Sequence, residues 1–335
     1  MKKQKKIFII IIAVLIAVIL ALVGTFFILT SVGKSQFHKG DTHISTDAVN
    51  IDDENTITYK GKKYILNKNI VSFLVMGIDR DNVNQNYGSG KNGQADVVFV
   101  ATIDTKTKKA CIIPISRETM VDINLYTSNG SYAGTKNEQL CLAYAYGNST
   151  EESSKNVLTS VKRLLCGINI SSYVTIEMDG IAKLTDLVGG VELTCLETIT
   201  SKNLPVSKGQ KIILNGQKAL TYIRYRYEDI EANARRMARQ KQFLSALMNK
   251  TGNKILNDFT ALGKYYNSLS SYFNTNVSFA QITYLAKNCL TMNFGDAIDY
   301  KTINGTLEHG ENWVEFYPDE ESVLQTVIDV FYLPK

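Results

Sequence analysis

The chain has 335 residues, of which 44% are hydrophobic and 21% charged, which is ordinary for a protein with a real core. Its formal net charge is +5, and Lys2, Lys3, Lys5 and Lys6 supply most of that excess, so the remainder is close to neutral and bulk charge provides no polyanion-binding surface. Five scattered cysteines and three histidines lack ligand spacing, which excludes a disulfide framework and leaves no signature of a zinc site or a histidine-dependent nucleophile.

The first predicted element is the uncharged apolar run Ile7 to Leu29, roughly 35 Å long if helical and about enough to span a bilayer. It exceeds a cleavable signal's apolar stretch, so it reads as a retained anchor. Lysines precede it and no basic cluster follows, which puts residues 1–6 in the cytoplasm and everything after the anchor outside the cell. The expectation is a single-pass protein of the cell membrane with an extracellular domain.

Residues 30–69 are polar with little apolar periodicity and read as a stalk. Val71 to Ile78 and Val97 to Ile103 are continuous apolar runs of strand length, and Ala110 to Ile115 is a third after the polar turn that starts at Asp104. Glu151 to Leu165 places Val157, Leu158, Val161, Leu164 and Leu165 at helical spacing ahead of Gly167. Tyr173 to Met178 then reads as a strand, Ile181 to Val188 as a helix, Val191 to Cys195 as a strand, Ala219 to Arg226 as a strand, and Asn233 to Lys250 as a helix. This alternation predicts an α/β/α sandwich on a mixed central sheet, with a core over residues 70–250. Residues 251–335, with a strand at Trp313 to Tyr317 and a helix at Glu320 to Tyr332, are expected to complete it.

Two aspartates stand at strand borders, Asp79 after the first run and Asp96 before the second. Hard oxygen ligands at one cleft suit Mg²⁺ (or Mn²⁺), although either residue could simply cap a turn. Arg224 and Arg226, two apart on a predicted strand, share a face. On the helix that follows, Arg236, Arg239 and Gln240 also share a face, and Arg117 adds a further guanidinium after the third strand. Arginine holds two phosphate oxygens at once and remains charged, so acids and arginines together fit phosphoryl transfer, where positioning and charge neutralisation carry the chemistry.

Gly77-Ile78-Asp79-Arg80, Asp96, Ser116-Arg117-Glu118-Thr119, Ala143-Tyr144-Ala145-Tyr146-Gly147, Gly189-Gly190-Val191, Leu214-Asn215-Gly216 and Arg236-x-x-Arg239-Gln240 occur in one order over about Ser72 to Leu247. In that order they resemble the LytR-CpsA-Psr family. The resemblance implies a hydrophobic tunnel for a polyprenyl chain, a pyrophosphate held by arginines at its mouth, and transfer of teichoic acid, capsular polysaccharide or a related glycan from a polyprenyl-pyrophosphate donor to peptidoglycan or a similar envelope acceptor. Carried to this chain, Asp79 and Asp96 share the metal. Arg117, Arg224, Arg226, Arg236 and Arg239 bind pyrophosphate, and Gln240 lines the same cleft.

Three departures stand out. Gln94-Ala95-Asp96 replaces the family's Arg-Ser-Asp, so one pyrophosphate arginine is missing unless Arg80 substitutes; Glu118 replaces an aspartate; Asn233 replaces an acidic residue. Two rivals share these residues, a polyprenyl-pyrophosphate phosphohydrolase that uses water and a non-catalytic envelope regulator. Nucleic acid is not an expected partner, because the domain lies across a membrane from it.

Overall fold

The computed structural model describes residues 25–39, 44, 46, 48–53, 55–78, 88–227, 231–258, 260–289, 298–310 and 313–335. Asp79, Arg80 and most of the expected anchor lie outside them, and among the described residues no helix is long and apolar enough to cross a membrane. Residues 25–37 are helical.

The apolar runs become the central strands of a six-stranded mixed sheet. In spatial order these are Phe273–Thr275, Ser172–Glu177, Ile70–Ile78, Ala95–Asp104, Lys109–Ile115 and Ile298–Tyr300. Ile70–Ile78 runs parallel to Ser172–Glu177 and antiparallel to Ala95–Asp104, which is antiparallel in turn to Lys109–Ile115. Both edge strands come from the C-terminal segment.

Alternation along the strands divides the core in two. Val98 and Val100 join Leu74, Met76, Val157, Val161 and Val327 in one cluster, whereas Val97 packs into a second with Phe243, Leu247 and Leu220. The helix Thr150–Leu164 on the first side begins with a reciprocal cap. Ser149 accepts from the Glu152 amide at 3.1 Å, and the Glu152 carboxylate accepts from the Asn148 amide at 3.0 Å. On the second side, Gly189 and Gly190 at φ 80° and 83° turn the chain from helix Met178–Leu187 into strand Val191–Thr194, a conformation other residues adopt only with strain.

The stalk expectation needs correction. Asn50–Asp53, Thr56–Tyr59 and Lys62–Leu66 form a sheet with the C-terminal strand Tyr332–Pro334. Short, largely polar strands, in which Thr56 is buried beside Ile57 and Tyr59, gave little periodicity to read. The hairpin Met120–Tyr126 and Tyr132–Gln139 was also missed, its second strand being mostly exposed and polar.

Ala219 to Arg226 is not a strand either. Gly216–Arg224 is a helix, capped by the Asn215 side chain accepting from the Lys218 amide at 3.0 Å. It buries Ala219, Leu220, Tyr222 and Ile223 on one face. The sequence there satisfies both periods, and the cap decides.

Candidate active site

Asp96 owes its position to an irregularity in the sheet. Gly77 pairs with Val97 and Ile78 with Ala95, so Asp96 is the extra residue of a bulge, which redirects its carboxylate out of the ladder. Arg117 lies two residues beyond Lys109–Ile115, on the neighbouring strand. Its Nη1 donates to Asp96 Oδ1 and its Nη2 to Gln94 Oε1 and, at 3.3 Å, to Cys141 Sγ. Burial raises the Cys141 pKa, and with Cys141 fully buried this thiol is a neutral neighbour of Arg117 and no nucleophile.

Arg236 and Gln240 are one turn apart on the long helix Ala232–Asn257. Arg236 is 4% exposed, with the Glu118 carboxylate 4.0 Å away. Burial and then the neighbouring Arg226 lower its pKa to about 10. It remains charged at neutral pH, at a cost that an incoming anion would relieve. Glu118 is itself fixed by the Ser116 hydroxyl at 3.0 Å.

Asp96, Arg117, Arg224, Arg226, Arg236 and Gln240 line one cavity of about 270 Å³, closed by Met178 and Ile223. Four guanidinium groups therefore face one described carboxylate. Arg224 is the last residue of its helix and residues 225–227 have no regular secondary structure, so Arg226 reaches the same cavity without the shared strand that the sequence predicted.

Asp96, Arg117, Ile223, Arg236 and Gln240 also line a second cavity of about 180 Å³, which runs between the sheet and the long helix past Val75, Phe99, Ile181, Leu184, Leu244 and Leu247. The polar mouth opens on a greasy interior. Composition could not show this, because a cavity arises where side chains fail to meet.

Arg239 is placed elsewhere, and its expected contact with pyrophosphate is corrected accordingly. It is fully buried, donating from Nε to Tyr222 O at 2.9 Å, from Nη1 to Glu197 and from Nη2 to Tyr225 O. The tyrosines that alternate with Arg224 and Arg226 serve the same end: Tyr225 hydroxyl meets Thr200 at 2.9 Å and Tyr227 hydroxyl donates to Thr198 O at 2.5 Å. Gln240 Nε2 adds a bond to Ile223 O at 3.2 Å. Arg239 thus fixes the turn that presents the two arginines. Glu197 went unnoticed in the sequence because it is 42 positions away from its partner.

For a metal, Asp96 offers hard carboxylate oxygen at the cavity, with the Gln94 amide oxygen beside it, and Asp79 lies outside the described residues. Mg²⁺ needs only one or two carboxylates besides phosphate oxygens and water, so this donor set fits it. Among the described residues no cluster of three His, Cys, Asp or Glu side chains could hold a metal by itself.

The profile of the LytR_cpsA_psr family matches residues 32–328. The polyisoprenyl-teichoic acid–peptidoglycan teichoic acid transferase TagU of Enterococcus faecalis is 29% identical over 286 residues, covering 85% of this chain and 84% of that protein. Biofilm regulatory protein A of Streptococcus mutans is 28% identical over 68% of this chain and 54% of its own length. The crystal structure of Bacillus subtilis TagV matches with a TM-score of 0.62 at 25% identity, covering 78% of this chain and 95% of that one. The ordered motifs, the mixed sheet and the extent of the profile match converge, and the chain belongs to the LytR-CpsA-Psr family.

Proposed function

We propose that the protein transfers a glycopolymer such as teichoic acid from a polyprenyl-pyrophosphate carrier to peptidoglycan, as the names of its transferase relatives describe for them. The observation that carries this reading is the junction of an arginine-lined cavity with an apolar one, sharing Asp96, Arg117, Arg236 and Gln240. A pyrophosphate with a hydrocarbon tail has that same polarity. The N-terminal apolar run would hold this domain outside the membrane, where its lipid donor and wall acceptor are.

In this reading an acceptor hydroxyl oxygen attacks the glycan-side phosphorus. The P–O bond between the two phosphates breaks, a phosphodiester to the acceptor forms, and polyprenyl phosphate departs with the electron pair of that bond. Asp96, which lines the cavity, would take the hydroxyl proton, while Arg117, Arg224, Arg226 and Arg236 would neutralise charge on the phosphate oxygens. Bound Mg²⁺, held by Asp96 and Asp79, would supply further neutralisation at those oxygens.

Purified protein given a polyprenyl-pyrophosphate glycan and peptidoglycan should release polyprenyl phosphate in step with glycan linked to the wall through phosphate, and a chelator should slow both. Release without linkage would make water the acceptor and refute transfer. A rate indifferent to chelator would remove the metal.

A further inference from the structure

The hairpin Gly305–His309 and Val314–Pro318 is joined to the segment that carries Arg117. Phe316 bridges to Thr119 and donates its amide to Glu118 O at 2.9 Å, and Val314 O accepts from Gln139 Nε2 at 2.8 Å. Along the second strand Phe316 and Pro318 turn inward and line a cavity with Leu307. By alternation Glu315 and Tyr317 lie on the opposite face, and Trp313 immediately precedes the strand. That face is open: Trp313, the only tryptophan of the chain, is 73% exposed and Tyr317 40%.

Across the hairpin Glu308 pairs directly with Glu315, and Thr306 with Tyr317. Two carboxylates opposite one another on an exposed ribbon repel. The Tyr317 hydroxyl donates to Glu315 Oε2 at 2.6 Å and so fixes one of them, leaving Glu308 and the rest of the row for an outside donor. With Trp313 just ahead of the strand, the exposed ribbon offers in chain order an aromatic, a carboxylate pair and a second aromatic.

We infer that this face binds a neutral glycan strand of the acceptor. Sugar rings present partly positive C–H faces that stack on the negative faces of tryptophan and tyrosine. Their hydroxyls donate to carboxylates, relieving the Glu308–Glu315 repulsion. The same two carboxylates repel a polyanion, so the face selects against a phosphate-rich donor polymer and for the uncharged backbone of the acceptor. Because the hairpin is bonded to Glu118 and Thr119, a strand lying on it is held beside the Arg117 segment. The identification of the bound glycan as acceptor rests on the proposed transfer; the binding itself does not.

A single tryptophan makes its own emission the reporter. Neutral glycan strands built of β-1,4-linked N-acetylglucosamine, titrated into the protein without any lipid donor, should shift the emission to the blue and shield it from acrylamide quenching, saturably. Tyr317→Ala and Glu308→Gln should each weaken that binding about fivefold to tenfold, and poly(glycerol phosphate) should give no shift. In the transfer assay Trp313→Ala should raise the acceptor KM about tenfold and leave the donor KM unchanged. An emission indifferent to glycan strands, or shielding by protein self-association at high concentration in their absence, would overturn the inference. Glycan binding with no transfer by the wild type would instead defeat the transferase reading and leave the glycan face standing.

Discussion

Arg239→Ala is expected to destabilise the domain by about 3 to 5 kcal/mol, the usual cost of stripping one partner from a buried charge pair. Arg239 has no exposure, and its loss leaves Glu197 with only Arg235, 3.4 Å away, and takes from the carbonyls of Tyr222 and Tyr225 the guanidinium that donates to them. Arg239→Lys should recover only part of this, because an ammonium cannot repeat a three-way planar fork. Urea or thermal denaturation measures it directly. A variant of wild-type stability that has lost pyrophosphate binding would contradict the placement and return Arg239 to the role of a ligand.

Arg117→Ala is expected to act the other way, lowering transfer by about 10²- to 10³-fold, the scale seen when one preorganised donor to transition-state charge is removed. The guanidinium touches Asp96, Gln94 and Cys141 and lines both cavities. Arg117→Lys keeps the charge but cannot engage Asp96, Gln94 and a phosphate together, so only partial recovery should follow. Steady-state transfer rates beside thermal stability separate the effects. Near-wild-type transfer by Arg117→Ala would remove it from the chemistry.

The two residues differ in how plainly the sequence marks their roles. Asp96 and Arg117 were legible because strand borders announce themselves through apolar runs, and acid and guanidinium chemistry is carried by residue type. Arg224 and Arg226 line one cavity but not from a shared strand: the first ends a helix and the second follows it in irregular chain. Arg239 was misplaced because a helical face is wide. Arg236 and Gln240 differ by one turn and face the cavity, whereas Arg239, rotated about 60° from Arg236, meets Glu197. Nothing local marks that choice. Long-range partners such as Glu197, the bulge that frees Asp96, and the apolar cavity all depend on tertiary packing.

The central claim is that one ligand spans the arginine mouth and the apolar cavity, and the most direct measurement is the affinity of polyprenyl pyrophosphates of increasing length for the wild type and for Leu244→Trp. An apolar cavity of about 150 Å³ takes a six-carbon ring, so the 180 Å³ here holds little more than one isoprene unit. Each buried methylene contributes about 0.8 kcal/mol, so the first unit should raise affinity more than tenfold over inorganic pyrophosphate, with smaller gains beyond it. Leu244→Trp should abolish the gain and leave inorganic pyrophosphate binding intact. Affinity that does not change with chain length, or a gain that survives the filled cavity, would contradict it.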